Sequence, residues 1–461
     1  MISQSPSALK PVDHPIERHE DLFEPFLQAE KPREAFRIGL EMERVGVHGK
    51  TCAPVPYEGE RGVLGIMSRL IDERGWEPSR ESENGPIIAL TRGDAAVTLE
   101  PGAQLEFSGS PLPDMHQVDA ELRTHLAEVA EVSEAAGIVW LNTGFHPFAR
   151  QDELPWVPKA RYAIMKNYLP KQGSGAWDMM RRTATVQLNL DYSDERDAMD
   201  KLLVGLKMAP IANALFANSP FREGQLTDKK SLRGEVWLKM DPRRSGLLGH
   251  LWNKPTLGYE DYVQWALDAG MFLIKRGERI IENTGQSFRD YLQNGYEGER
   301  ATLADWRLHL NTLFPEARLK NTLELRPCDS LPLQYAGAAS ALWLGVLADS
   351  VSVAEAKSYL ERFSFRDMES ARPELVQRGQ NVVVGGVSCQ AIAEELTKIA
   401  VAGLNRRGRK NLRGQDETVF LEPLRALVQS GNSPADFATS GLSAGPVPPA
   451  LLLDRTRLRL G

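Results

Sequence analysis

The chain has 461 residues, of which 42% are hydrophobic and 25% charged, so it has enough apolar material for a large core and is not composed like a disordered chain. Its formal net charge of -7 and pI near 5.8 argue against a general nucleic-acid binder or a protein held by an anionic membrane. Three cysteines, no apolar stretch long enough to span a bilayer and no secretory leader pattern predict a cytoplasmic protein without a disulfide framework.

The first predicted strand is FRIGLEMERVGV, residues 36–47, in which apolar and polar residues alternate. Glu41 and Glu43 both fall on the polar side, about 7 Å apart. Two neighbouring carboxylates repel each other unless a positive charge lies between them. This strand therefore raises the question of what holds the two groups together.

The next two elements are a strand and a helix. VTLEPGAQLEF, residues 97–107, continues the alternation as one strand, with Glu100 and Glu106 on its polar side. The following stretch, residues 112–137, predicts a long amphipathic helix with Asp114 as its N-cap and Gly137 as its stop.

Three later segments repeat the strand pattern. VWLNTGFHPF (139–148) is the weakest of them and places Asn142 and His146 on its polar side. TATVQLNLDY (183–192) places Gln187 there, and NTLELRPCD (321–329) does the same for Glu324 and Arg326. Strict alternation of this kind is typical of antiparallel strands with one face under helices and the other lining a wet site.

The remaining segments are mostly helical, and the last 125 residues or so look almost wholly helical. We therefore predict three parts in one body. They are a helical lead-in over residues 1–35, a catalytic sheet-and-helix body over 36–335, and a mostly helical region over 336–461 that packs on the same body.

The polar face of the predicted sheet is rich in carboxylates. Divalent cations would remove their mutual repulsion, and a site of oxygen ligands with hardly any His or Cys favours Mg²⁺ or Mn²⁺. The plainer interpretation is that each Glu only solvates an exposed face, since a single E-x-E is common by chance. The candidate ligands shared by four segments are Glu41, Glu43, Glu100, Glu106, Glu324 and Gln187.

The sequence contains neither a G-x-x-x-x-G-K-[ST] loop nor a G-x-G-x-x-G turn between a strand and a helix. A nucleotide would therefore bind through metals and side chains of the sheet. Metals, ATP and clustered carboxylates together indicate a carboxylate-amine ligase.

Five strings carry a resemblance to a known family. They are IGLEMERVG (38–46), LEPGAQLEFSGSPL (99–112), PKARYAIMKNYLPKQGSGAWDMMRRTATVQLNLDY (158–192), ALFANSPFREG (214–224) and FPEARLKNTLELRPCD (314–329). In this order they resemble glutamate-cysteine ligases of the plant and proteobacterial type.

The resemblance implies an α+β fold in which helices wrap a six-stranded antiparallel sheet of the glutamine-synthetase-like kind. ATP and Mg²⁺ would lie on its concave face. The implied reaction joins the γ-carboxylate of L-glutamate to the amine of L-cysteine through γ-glutamyl phosphate, as the first step of glutathione biosynthesis. A monomer or homodimer that binds only small molecules, and neither nucleic acid nor membrane, is expected.

The resemblance also implies roles for individual residues. Glu41 and Glu43 match the metal-binding pair, and Glu106 and Glu324 match further ligands, with Glu100 and Gln187 as additional candidates on the same face. Arg326 matches the arginine beside the reacting groups, where it would contact phosphate. Arg161 and Arg233 are expected to bind substrate, and Lys320 is expected to reach phosphate.

Two departures from the plant pattern bear on function. Pro327, Cys328 and Ser330 stand where plant members have a glycine-rich string, which bears on the identity of the amine acceptor. Asn283 stands where plant members have a cysteine, so regulation by a disulfide is not expected. The alternatives are a γ-glutamyl ligase with another acceptor, a metal-dependent phosphohydrolase, and a non-catalytic binding protein.

Overall fold

A nine-stranded sheet forms the centre of the protein in a computed structural model that describes residues 13–460. Its strands are β1 (Ile38–His48), β2 (Glu77–Arg80), β3 (Ile87–Arg92), β4 (Ala95–Leu99), β5 (Leu105–Ser108), β6 (Ile138–Leu141), β7 (Thr185–Leu190), β8 (Ala317–Leu319) and β9 (Leu323–Asp329). The order across the sheet is β8-β9-β7-β1-β5-β4-β3-β2, and β6 pairs with β1 off this path. Every pairing is antiparallel.

Helices surround the sheet. They are α1 (Glu24–Leu27), α2 (Val63–Arg74), α3 (Met115–Glu134), α4 (Ala160–Tyr168), α5 (Ala176–Arg182), α6 (Glu195–Leu215), α7 (Leu232–Trp237), α8 (Tyr259–Asp268), α9 (Phe288–Asn294), α10 (Leu303–Leu310), α11 (Leu333–Leu347), α12 (Ser350–Leu360), α13 (Phe365–Arg378), α14 (Cys389–Arg407), α15 (Glu422–Ser430), α16 (Pro434–Thr439) and α17 (Pro449–Thr456). Short 3₁₀ turns cover His19–Phe23, Arg33–Ala35, Gln151–Glu153, Leu169–Lys171, Gly249–Leu251 and Glu417–Leu421.

The α+β class and the antiparallel sheet agree with the prediction, but the sheet has more strands than the six expected. Strand β1 spans 11 residues, so its first half pairs with β5 and β7 while its second half pairs with β6. Strands β2 and β3 extend the edge beyond β4. β2 is mostly exposed and β3 is mostly buried, so neither shows the alternation by which the other strands were predicted.

The segment 97–107 forms a hairpin of β4 and β5, and the prediction of a single strand was wrong. Its turn has a hydrogen bond of 2.9 Å from the Ala103 N–H to the Glu100 carbonyl, and Ala103 adopts a φ of 64°. Thr98 and Glu106 are cross-strand partners. Because partners in an antiparallel ladder point to the same face, Glu106 still lies on the polar side.

The long helix after this hairpin follows the predicted signals. The Asp114 side chain accepts a hydrogen bond from the Gln117 N–H and caps α3, which begins at Met115. At the other end, Gly137 adopts a φ of 67° and its N–H bonds to the Glu134 carbonyl at 2.9 Å. A left-handed residue at this point ends the helix at no steric cost because glycine lacks a Cβ.

The back face of the sheet is buried under helices. Helix α6 packs on β8 and β9, and α11 packs on β7 and α14. Apolar residues of one parity form this face, and those on the central strands are Ile38, Leu40, Met42, Val186, Leu188, Leu190, Leu323 and Leu325. The opposite parity is thereby left to form the floor of a cavity on the front face.

One hydrophobic cluster contains residues from all three predicted parts, including Leu22 near the start, Leu188 in the sheet and Leu424 near the end. Residues beyond 336 are mainly helical, apart from a hairpin of Val383–Val384 with Val387–Ser388 and the short strand Gly445–Pro446. The division into 1–35, 36–335 and 336–461 stays a proposal.

Within residues 13–460, no single helix is both long and apolar enough to cross a bilayer. Helices α11 and α12 meet the length and composition requirements only when taken together, and they are bent by 94° relative to each other.

Candidate active site

A cavity of about 1000 Å³, including solvent at its mouth, lies on the front face of the sheet. Side chains of β1, β4, β5 and β7 form its floor, and residues around α4, α5 and α7 form its walls. Its floor is the polar parity of the alternating strands, so the period of two in the sequence determines which side chains reach it.

Three carboxylates meet on the floor of this cavity. One oxygen each of Glu43, Glu100 and Glu106 lies within 4.8 Å of the others. Glu43 comes from β1, Glu106 from its neighbour β5, and Glu100 from the turn between β4 and β5. Because the Cα atoms of Glu43 and Glu106 are paired across the ladder, the sheet itself holds these two carboxylates together.

The acidic cluster carries a strong electrostatic penalty. Burial, followed by the charges of Glu100 and Glu106, raises the pKa of Glu43 well above its usual range. Burial, followed by Glu100 and Glu41, raises the pKa of Glu106 to about 8. The Thr98 hydroxyl and the Thr185 backbone N–H donate to Glu106 and Glu43, and the latter bond measures 3.1 Å. These two hydrogen bonds do not cancel the effect of burial.

Glu41 lies between the acidic cluster and a group of basic side chains. The Asn189 side-chain N–H donates to its carboxylate at 2.9 Å. Burial and the charge of Glu324 raise the pKa of Glu41, whereas Lys320 and Arg318 act in the opposite direction. Glu41 is therefore within electrostatic reach of both groups.

Glu324 gathers three basic side chains at one end of the cavity. The Arg318 guanidinium donates to both of its oxygens at 2.7 and 2.8 Å, the Lys320 ammonium lies 2.5 Å away, and Arg326 forms a further ion pair. Burial alone would raise the pKa of Glu324, but these three cations hold it well below its usual range. Arg326 also donates to the side-chain amide oxygen of Gln187 at 2.5 Å.

Arg326 projects from an irregular part of β9. Leu325 pairs with Leu188 and Cys328 pairs with Val186, so β9 holds one residue more than β7 over this interval. Arg233 on α7 donates to the carbonyls of Arg326 and Pro327 at 2.8 and 3.0 Å. The buried Arg233 therefore supports the bulge from which Arg326 reaches the cavity.

A second basic region lies at the start of α4. Lys159 donates to the Leu99 carbonyl at 2.7 Å, and the Tyr162 hydroxyl donates to the same oxygen at 2.6 Å. Burial lowers the pKa of Lys159 to about 8, although Glu100 opposes this shift. Arg161 lines the cavity beside them, with its guanidinium carbon 5.7 Å from the Tyr162 ring centre.

Nine of the ten predicted site residues line this one cavity, namely Glu41, Glu43, Glu100, Glu106, Arg161, Gln187, Arg233, Lys320 and Arg326. Glu324 is fully buried behind them in its ion pairs. The predicted strand 139–148 ends at Leu141, and its polar residues lie elsewhere. Asn142 accepts a hydrogen bond from Arg44, while His146 accepts from the Phe148 and Ala149 N–H groups and is kept neutral by burial, which lowers its pKa to about 3.

Several cavity residues were not predicted from the sequence. Arg318 lies two positions before Lys320 in FPEARLKN, so the same alternation would have found it. Lys159 lies two positions before Arg161 in PKARY, and this nearby positive charge could have indicated it. Trp237 packs edge-on against Phe314 with ring centres 6.1 Å apart. Neither aromatic residue could be identified from its local sequence, because α7 and the segment before β8 come into contact only in the folded protein.

The donor set fits a divalent cation and a polyphosphate. Three carboxylates within bonding distance of one ion, without His or Cys, form the oxygen-rich environment that Mg²⁺ or Mn²⁺ prefers. The group formed by Arg318, Lys320 and Arg326 supplies cations for phosphate oxygens at the other end of the cavity. The acidic cluster and the group of Arg318, Lys320 and Arg326 thus occupy separate parts of a single cavity, and Lys159 adds positive charge beside Glu100.

Comparison with known proteins identifies the family to which the chain is similar. A family model described as glutamate-cysteine ligase family 2 matches residues 37–445. Chloroplastic glutamate-cysteine ligase B of Oryza sativa subsp. japonica is 39% identical over 420 residues, which is 90% of this chain and 82% of the rice protein. The chloroplastic enzymes of Nicotiana tabacum and Arabidopsis thaliana are 38% and 37% identical, each over 90% of this chain and 78% of their own length.

A solved structure shares the fold. Glutamate-cysteine ligase (gshA) from Francisella tularensis in complex with AMP matches with a TM-score of 0.50 over 88% of this chain and 85% of that chain. Sequence identity between the two is 13%, so this likeness concerns the fold alone.

The prediction of a cytoplasmic protein was wrong, because the rice, tobacco and Arabidopsis relatives are all named as chloroplastic. The prediction used the small number of cysteines and the lack of a secretory pattern. These features report redox conditions and secretion, and neither distinguishes the cytoplasm from another compartment in which thiols stay reduced.

Proposed function

The chain belongs to glutamate-cysteine ligase family 2, and on this premise we propose that its cavity joins the γ-carboxylate of L-glutamate to the amine of L-cysteine with ATP as co-substrate. The protein is thus a carboxylate-amine ligase that makes γ-glutamylcysteine, the first step of glutathione biosynthesis. It acts on small molecules, as a monomer or a homodimer.

The observation that supports this assignment is the separation of charge inside one cavity. Glu43, Glu100 and Glu106 form an acidic group on β1 and the β4–β5 hairpin, while Lys320 and Arg326 line the cavity near β8 and β9. A ligase of this kind must hold a polyanionic nucleotide next to a carboxylate nucleophile. Both ligands carry negative charge, so a site that holds them side by side needs positive charge, which basic side chains and cations bound by carboxylates can supply together.

The acidic group is the proposed metal site. Glu43, Glu100 and Glu106 would hold Mg²⁺ or Mn²⁺, with Glu41 beside them on the same strand. A divalent cation bound there supplies the charge that neutralises the phosphates of ATP and the charge that develops during phosphoryl transfer. The sheet contributes rigidity, because Glu43 and Glu106 are fixed by paired backbone positions.

The first half of the reaction forms γ-glutamyl phosphate. An oxygen of the γ-carboxylate of glutamate bonds to the γ-phosphorus of ATP, and the bond from that phosphorus to the β,γ-bridging oxygen breaks to release ADP. We assign Arg326 and Lys320 to the phosphate oxygens, because both are cations that line the cavity, Lys320 buried and Arg326 partly exposed. Arg161 is assigned to the α-carboxylate of glutamate on the opposite wall.

The second half transfers the glutamyl group. The amine of cysteine bonds to the acyl carbon, loses one proton, and phosphate leaves with its electron pair. This chain's contribution is orientation, because an acyl phosphate is already reactive towards amines. Trp237 and Phe314 offer an apolar wall next to Arg326, whose guanidinium carbon lies 5.9 Å from each ring centre.

A coupled assay tests the proposal. Purified protein is incubated with ATP, Mg²⁺, glutamate and cysteine, and both phosphate release and γ-glutamylcysteine are measured. We expect equimolar formation of the two products, with no product when any one component is omitted. Phosphate release from ATP without an amino acid would identify a phosphohydrolase instead, and metal-dependent nucleotide binding without turnover would identify a binding protein.

A further inference from the structure

Asp329, the last residue of β9, is a carboxylate without solvent exposure that lies outside the cavity lining. Three uncharged groups donate to it. The Asn218 backbone N–H and the Ser219 hydroxyl bond to one oxygen at 2.7 and 2.6 Å, and the Ser231 hydroxyl bonds to the other at 2.8 Å. A carboxylate buried among neutral donors is costly to keep, so its position calls for an explanation.

Ser219 and Ser231 connect Asp329 to the first turn of α7 through hydrogen bonds. A hydroxyl has one proton, and when that proton is donated to Asp329 the oxygen can act only as an acceptor elsewhere. The Ser231 oxygen accepts from the Gly234 N–H at 2.9 Å as the N-cap of α7. The Ser219 oxygen accepts from the Arg233 N–H at 3.2 Å. Asp329 therefore holds in place the two hydroxyl oxygens that accept the first backbone N–H groups of this helix.

Helix α7 in turn holds the bulge of β9. Its Arg233 guanidinium donates to the carbonyls of Arg326 and Pro327, the two residues inside the register shift. Asn213 on α6 adds a hydrogen bond of 2.9 Å to the Pro327 carbonyl. The path from Asp329 to Arg326 thus consists of hydrogen bonds between buried groups, each with a fixed donor and acceptor.

The chain packs closely against Asp329. A Cβ placed on Gly144 would lie 2.4 Å from the Asp329 Cγ, so a residue with a Cβ would clash with the carboxylate at this position. The Asn218 side chain also donates to the carbonyls of Asn142 and Ser330 at 2.9 and 2.8 Å. The hydrogen bonds of Asp329 and Asn218 therefore connect the ends of β6, β9 and α6.

We infer that Asp329 is a positioning residue of the ligase reaction: acting through Ser219, Ser231 and Arg233, it holds the β9 bulge so that Arg326 faces the transferring phosphoryl group. This inference rests on the function proposed above. It concerns orientation, since Asp329 itself does not line the cavity.

The test compares Asp329→Asn with wild type in the ligation assay. An amide at this position offers N–H donors where the serine protons now point, so at least one hydroxyl must reverse its direction. We expect kcat to fall roughly 10- to 100-fold, the range typical of outer partners that orient functional groups, with KM for glutamate and cysteine changing less than about threefold. Asp305→Asn is the matched control, because Asp305 is also buried but accepts from Thr302 and Arg276 in another part of the fold.

A double-mutant cycle separates positioning from simple loss of stability. In an Arg326→Ala background, Asp329→Asn should reduce the remaining rate by less than about twofold, because the group that it orients is already gone. Additive losses, an unchanged kcat, or an effect equal to that of Asp305→Asn would each overturn the inference. If Asp329→Asn does not fold, Ser231→Ala provides the same test, since it removes one link and keeps the carboxylate. A wild-type protein without ligase activity would refute the proposed function and this inference with it, whereas an active wild type with an unaffected variant refutes the inference alone.

Discussion

Glu43 and Glu106 face each other as directly paired residues of the β1–β5 ladder, and both carboxylates point into the same buried cluster. Like charges in directly opposed positions destabilise a sheet, so this pair works against the fold that contains it. In the function proposed above, a divalent cation at this pair would relieve the repulsion between the two carboxylates.

Replacing Glu43 with Gln is expected to separate stability from activity. Ligation should fall by more than about 100-fold because a metal ligand is lost, and Glu41→Gln should behave similarly. In the absence of metal and above about pH 8, where Glu106 loses its proton, Glu43→Gln should however melt at a higher temperature than wild type, since removal of one charge relieves a repulsion worth roughly 1 kcal/mol or less. Both properties are measured by the ligation assay and by calorimetry in EDTA.

The matched control for this experiment is Glu77→Gln, which changes an exposed glutamate on β2 of the same sheet. It should leave both the rate and the melting temperature unchanged. Near wild-type rates for Glu43→Gln at limiting magnesium would show that the acidic cluster is not the metal site.

The stability of the metal-free protein should depend on pH through this cluster. Glu106 has a pKa of about 8 and that of Glu43 is also raised, first by burial and then by neighbouring carboxylates. In the unfolded chain a glutamate titrates near about 4.3, so between that pH and about 8 the folded state holds protons that the unfolded state has released. The cluster's contribution to stability is therefore lost as pH rises through this window.

Calorimetric scans in EDTA between pH 6 and pH 8.5 check this expectation. Wild type should lose more stability over the interval than Glu106→Gln, which has no carboxylate to titrate at that position. Added Mg²⁺ should restore more stability at pH 8.5 than at pH 6, since its binding must displace protons at the lower pH. Equal pH slopes for the two proteins would contradict the assignment.

The three cysteines should be dispensable. All of Cys52, Cys328 and Cys389 are free and buried, and burial raises the pKa of the Cys328 and Cys389 thiols to about 12. Thiols of this kind are mostly protonated and react slowly with oxidants. A variant with alanine at all three positions is expected to keep its ligase activity and its response to hydrogen peroxide or reductant.

Mass spectrometry of the alkylated protein provides the direct check on that variant series. A disulfide between any two of the three residues that changes the rate of wild type would show the expectation to be wrong.

Cysteine should be the preferred acceptor, with measurable use of 2-aminobutyrate. The two amines differ by a thiol and a methyl group, and a pocket usually distinguishes such a pair by only about 10- to 200-fold. Initial rates with cysteine, 2-aminobutyrate, serine, alanine and glycine at saturating glutamate measure the preference. A different winner would mean that the segment after Arg326, where the chain departs from the plant pattern, has changed the acceptor.

Local alternation was sufficient to identify most of the site. A period of two places Glu41 and Glu43 on one face whatever the strand pairs with, and antiparallel pairing then brings Glu106 to the same face even though the 97–107 segment is a hairpin. Alternation identified seven of the nine predicted residues that line the cavity, whereas Arg161 and Arg233 lie on α4 and α7. This part of the structure follows from a property that each strand carries in its own sequence.

The remaining features depend on contacts between distant segments. The support of Arg326 by Arg233 joins residues 93 positions apart in the chain. The link from Asp329 to Ser231 spans 98 positions. No short pattern records such pairings, since either partner alone is an ordinary buried polar residue.

The position of β1 at the middle of the sheet has a consequence for folding. Its partners begin at residues 105, 138 and 185, and β7 in turn pairs with β9, which ends at Asp329. During synthesis the first strand must therefore wait until Leu190 for its last partner, and the sheet beyond β7 is not complete until Asp329. Such non-local pairing slows folding and leaves the β1 edges open to wrong partners in the meantime. Because its lining extends from Glu41 to Arg326, the cavity cannot be complete before β9 has been made.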